Sequence, residues 1–112
     1  MVKKANELHV LDEKLLRQEL MTGKETRPIV IYFHTAWSAP CRTFDAVVRT
    51  LSEELAPDVL FFASDTGKQH AIAEQFEISE VPTLLLMQNG TVKSESVGVR
   101  TKEDLRDWIA KF

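Results

Sequence analysis

Hydrophobic positions along this chain fall into two spacings. Ile29-Val30-Ile31-Tyr32-Phe33, opened by Pro28, is an unbroken β-branched and aromatic run, the pattern of a central strand covered on both faces. Val59 to Ala63 and Leu84-Leu85-Leu86-Met87 predict two more buried strands of the same kind. Between the first two lies a helical series, Phe44, Val47, Val48, Leu51 and Leu55, which predicts a long amphipathic helix beginning near Pro40 and stopped by Pro57-Asp58. Leu8 to Leu11 is a short apolar stretch ending at Asp12, a good helix N-cap. Leu15, Leu16 and Leu20 then share one helical face until Thr22-Gly23. Ala71, Ile72 and Phe76 predict a short helix after the Asp65-Thr66-Gly67 turn. Asn89-Gly90 is a strong hairpin signal, because a type I′ turn needs positive φ at both centres. Thr91 to Val97 is the returning edge strand, closed by Gly98. Thr101 and Asp104 resemble a capping box, although Glu or Gln is preferred at the second place. Leu105, Trp108, Ile109 and Phe112 form the buried stripe of a last helix, and the methionines belong to the core.

The resulting order is β-α-β-α-β-α-β-β-α. Strands alternating with helices imply parallel pairing through crossover helices, and the hairpin adds an antiparallel pair. Pattern alone therefore predicts an α/β fold with a central mixed sheet of about five strands flanked by about four helices. The 112 residues read as one domain, 1–112, because single cores commonly hold about 100–150 residues. An apolar fraction of 44% is enough for a real core.

A net charge of −3 with scattered signs offers no basic face for nucleic acid or an anionic membrane surface. No apolar stretch approaches the roughly 20 residues of a membrane span. Met1-Val2-Lys3-Lys4-Ala5-Asn6-Glu7 has no apolar run of signal-peptide length and no transit-peptide bias. The only cysteine is Cys41, so no intramolecular disulfide can form, which fits a reducing compartment. The expectation is an intracellular protein, cytoplasmic by default, or organellar, for example mitochondrial, if a targeting segment has been trimmed away. His9, His34 and His70 lack metal-ligand spacing; neither a metal nor another cofactor is expected.

Three motifs carry a resemblance. Trp37-Ser38-Ala39-Pro40-Cys41 stands between the central strand and the long helix, Val81-Pro82-Thr83 precedes a strand, and Gly98 follows the hairpin. The chain resembles the thioredoxin family, which has W-C-G-P-C at the first place, an apolar residue with cis-proline and threonine at the second, and glycine at the third. The likeness runs from Leu8 to Phe112 and implies the thioredoxin fold. It also implies thiol–disulfide exchange on protein clients, with Ser38 at the position of the attacking cysteine and Cys41 as the resolving thiol. Trp37, Ala39, Pro40, Val81, Pro82, Thr83 and Gly98 would then shape the loop and groove that take an extended client chain.

The family places a cysteine at a helix start because unpaired N–H groups favour its thiolate. Ser38 departs from this, since a hydroxyl does not ionise usefully near neutral pH. Tyr32 stands where the family commonly has a buried Asp that takes the resolving thiol's proton, and a phenol of pKa about 10 is a poor base. Phe61 falls where many members carry a lysine facing that acid, and Ala46 replaces a helix-kinking proline. Tyr32 and Phe61 are expected to pack as ordinary core, the alternative being a dry apolar patch that supports the loop in place of the buried ion pair. Cys41 is expected to be buried, and Trp37 exposed.

Two functions fit. One is an oxidoreductase whose Ser38 is an engineered stand-in for cysteine, its turnover disabled by Ser38 and weakened by Tyr32; its cysteine-containing form would pair with a thiol reductase. The other is a natural thioredoxin-like adaptor or holdase that binds polypeptides, as extended or partly unfolded chains, without redox turnover.

Overall fold

A computed structural model describes residues 7–112; the reading of the first six residues as free of a targeting pattern lies outside the described residues. Leu8–Val10 forms β1, Ile29–His34 β2, Leu60–Asp65 β3, Thr83–Gln88 β4 and Thr91–Val97 β5. The helices are α1 (Glu13–Leu15), prolonged by wider π-type turns over Leu16–Leu20, then α2 (Ala39–Leu55), α3 (His70–Gln75) and α4 (Lys102–Ala110). The chain order is the one expected, and the five strands pair in the order β1-β3-β2-β4-β5. β3 is parallel to both β1 and β2, whereas β4 runs antiparallel to β2 and to β5. A mixed sheet results.

Alternation along the central strands explains why their sequences are apolar throughout. Val30, Tyr32, Phe61, Leu84 and Leu86 face one side, where Phe44, Val48 and Leu51 of α2 and Leu105 and Ile109 of α4 cover them. Ile29, Ile31, Phe33, Phe62, Leu85 and Met87 face the other, under Leu16, Leu20 and Ile72. Successive strand residues point to opposite faces, so a strand with both faces covered has no polar positions left. Ser64, Thr83 and Ser96 are the buried exceptions among the described strand residues, and the hydroxyls of Ser64 and Ser96 have no hydrogen-bond partner.

Turn chemistry behaves as its residues require. Asn89 (φ 53°) and Gly90 (φ 81°) both take positive φ and close the β4–β5 hairpin. Asp12 accepts the Leu15 N–H at 2.7 Å, and Thr101 accepts the Asp104 N–H at 3.1 Å, half of a capping box.

Three details of the apolar reading are corrected. Phe112 is 47% exposed, beyond the end of α4, and takes no part in the buried stripe; Met21 is 37% exposed after the first helix and is not core. Trp108 is only half-buried, because its indole N–H reaches out to the Ser94 hydroxyl at 2.9 Å. The first helix is not regular either. The Met21 N–H skips to the Leu16 carbonyl five residues back, which turns both Leu16 and Leu20 into the core.

Candidate functional site

The motif residues gather at one end of the sheet, and the register explains how. Phe33, near the end of β2, pairs with Thr83 at the start of β4, and Thr83 pairs with Val97 at the end of β5. The loop that leaves β2 therefore starts beside the segment that enters β4. Val81-Pro82 is a cis peptide, as expected, and the Gly98 N–H donates to the Pro82 carbonyl at 2.8 Å. Gly98 has φ 89°, a left-handed conformation that favours glycine. Thr83 is buried, and its hydroxyl donates to the Glu80 carbonyl at 2.7 Å. Val81 is half-buried and Pro82 buried.

On the other side of the junction Trp37 is 89% exposed, while Ala39 and Pro40 occupy the first, exposed helical positions. Proline is well suited there, because its missing N–H would have no intrahelical partner. Ser38 has an extended backbone and is the N-cap of α2: its Oγ accepts the Cys41 N–H at 3.2 Å. The helix thus starts one residue earlier than the apolar pattern indicates, because a capping hydroxyl, not an apolar residue, sets its origin. Cys41, one turn in, is 1% exposed. Removing the cap by Ser38→Ala is expected to lower stability by about 1 kcal/mol, whereas Ser38→Asp, which also accepts, should lose less. Denaturant midpoints of the two variants check this.

Beneath this turn Tyr32 is neither ordinary core nor part of a dry apolar patch. Tyr32 is buried, but its hydroxyl lies 3.1 Å from the Cys41 carbonyl oxygen and 2.5 Å from Asp45 Oδ1. Its ring stacks on His34 with centroids 5.0 Å apart and meets the edge of Phe44 at 5.9 Å. Burial first, then the Asp45 carboxylate, then the Cys41 side chain hold the phenol proton far above the ordinary tyrosine range. Desolvation and neighbouring negative charge both disfavour a phenolate. Phe61 shares the covered face with Tyr32, but it does not sit opposite it. The register pairs Phe61 with Val30 and Leu8, and Ala63 is the residue across from Tyr32. The polar partner of Tyr32 therefore comes from α2 and not from β3.

Asp45 is the functional candidate that sequence reasoning missed. The available signal was its position four residues after Cys41, which puts both on one face of a helix that also buries Phe44 and Val48. An acid there is unusual for a covered face. The three histidines remain dispersed: His34 ends β2, His9 is on β1 and His70 begins α3. No group of side chains with metal-binding geometry occurs among the described residues, and no helix among them is long and apolar enough to cross a membrane.

Comparison with known proteins gives a consistent pattern. The family model described as Thioredoxin matches residues 7–111. A thioredoxin of Rickettsia felis is 29% identical over 84 residues, covering 75% of this chain and 80% of that protein. Monothiol glutaredoxin-4 of Saccharomyces cerevisiae is 35% identical over 83 residues, covering 73% of this chain but only 34% of the yeast protein. Among solved structures, Malassezia sympodialis thioredoxin (Mala s 13) superposes with a TM-score of 0.85 at 22% identity, over 99% of this chain and 95% of that one.

Proposed function

Because the chain belongs to the thioredoxin family, we propose that residues 1–112 act as a single domain that takes protein clients as extended or partly unfolded chains at the Trp37, Val81-Pro82 and Gly98 end of the sheet. The thiol–disulfide exchange of the family is reduced here to one thiol, Cys41, and two-thiol turnover is disabled by Ser38. One observation carries this reading: the position of the attacking sulfur holds a hydroxyl engaged as a helix cap, while Trp37 beside it stands almost fully in solvent. A large exposed aromatic next to a backbone edge suits a client bound through main-chain hydrogen bonds and side-chain contact. The similarity to a relative named for a single thiol supports the same view.

A second reading, an adaptor or holdase that works without any redox step, is favoured by the apolar surroundings of the edge. Val97 and Val99, on either side of Gly98, are 45% and 54% exposed. Both readings need the same surface. They part on Cys41, which only the first employs. A reducing compartment suits either, since a lone thiol persists there.

The surface is tested by direct binding of a reduced, unfolded client to the Ser38 protein. Trp37→Ala is expected to weaken binding by about 1–2 kcal/mol, the common loss for a well-packed interfacial aromatic. Val81→Asp should weaken it as well, by placing a charge beside the apolar edge. No binding by the parent, or equal binding by all three proteins, overturns the assignment of this surface.

A further inference from the structure

A pocket of about 410 Å³ opens beside the first helix, within the size range of small-ligand sites. Leu20 and Phe62 are buried at its base, and Leu15 and Leu60 are half-buried on its walls. Glu19 and Lys24 stand exposed at the rim. Glu25 also lines it, but the Arg27 guanidinium holds that carboxylate at 2.8 Å. Among the described residues no ion pair engages Glu19 or Lys24. Leu60 pairs with Ile29, the first residue of β2, so the pocket lies toward the end of the sheet remote from the Trp37 turn.

Trp37 has the complementary properties. Its side chain is 89% exposed, the most exposed large apolar group among the described residues. Arg42, exposed in the first turn of α2, is the only charged residue between Thr35 and Thr43. The unpaired N–H groups of that turn add positive character. An indole with a positive collar thus stands at one end of the molecule. An apolar recess with an unpaired carboxylate on its rim lies toward the other. Lys24 fits the same occupant, because an ammonium is well placed over the face of a tryptophan.

We infer that this pocket is the seat for Trp37 of a second copy of this chain, with Glu19 facing Arg42 of that copy. Indole and pocket are different patches of one surface, so each copy offers one of each. Assembly then either closes as a reciprocal pair or ring, or continues head to tail. One aromatic and its collar make a small contact, in the weak and transient class. The contact covers the indole at the client-binding end, so self-association and client binding compete.

Sedimentation of the full chain with reductant present, from about 10 µM to about 1 mM, suits a contact of this class. The weight-average mass of the parent is expected to rise above the monomer with concentration. Trp37→Ala, which removes the indole, and Glu19→Lys, which sets like charges against each other, should each weaken association by at least about fivefold. Both positions are exposed, and circular dichroism checks that the fold is kept. Combining Glu19→Lys with Arg42→Glu in one chain restores opposite charges and should recover the parent's association. A parent that stays monomeric to about 1 mM overturns the inference and leaves the pocket to a small molecule or another partner. Association untouched by Glu19→Lys, or not recovered by the charge swap, overturns it as well. No client is present, so this outcome is separate from the test of the client-binding surface.

Discussion

Ser38→Cys is expected to switch on catalytic reduction of a protein disulfide that the parent leaves at the background rate. The geometry gives the reason. Position 38 is the N-cap of α2, where the unpaired N–H groups of the first turn favour an anion, so a sulfur there would be a thiolate at lower pH than a free cysteine. Cys41 lies three residues on, within the first turn and on the inner side. It can resolve a mixed disulfide that Ser38 cannot form. Turnover of at least about tenfold over the parent is expected with a dithiol reductant, followed by the precipitation or the fluorescence of a disulfide-bonded client. Multiple turnovers by the parent itself would show that a single buried thiol suffices and that the reading of Ser38 is wrong. The substitution also removes a hydroxyl cap, and a thiol is a weaker acceptor, so the more active variant should be the less stable one.

Much of the fold was legible beforehand because its signals are local. Asn89-Gly90 permits few conformations besides a tight hairpin, and the apolar run from Ile29 to Phe33 suits only a strand with both faces covered. The site was legible where the resemblance reaches it: Trp37 exposed, Cys41 buried, a cis bond at Val81-Pro82 and a glycine at Gly98. What escaped depends on register and on side-chain reach. Whether Phe61 or Ala63 lies across from Tyr32 is set by how β3 slides against β2, and a shift of two residues keeps the same face toward the core. The apolar pattern therefore reads identically either way. Asp45 reads as one more charge on an amphipathic helix until the helix is laid over Tyr32. Ser38 drew attention as a missing sulfur, which hid its role as a cap.

Alkylation of Cys41 is expected to be at least about a hundredfold slower in the native parent than in denaturant. Cys41 is 1% exposed. Mass spectrometry of samples quenched over time distinguishes the two rates directly, since the chain has only one cysteine. Equal rates would mean an exposed thiol, and disulfide-linked homodimers would then form under oxidising conditions.

The opening turn of α2 has a dynamic consequence. Helix ends ordinarily fray, and a loop-to-helix junction that meets partners is drawn from the least protected part of most proteins. Here the Cys41 amide is held by Ser38 and the Arg42 amide by the Ser38 carbonyl, while the Cys41 carbonyl is gripped from below by a phenol rooted in the central strand. Local breathing at this junction would have to pull against β2 itself. Its amide hydrogens should exchange on the timescale of the sheet, so clients would meet a preset edge beside an exposed indole rather than a loop that closes around them.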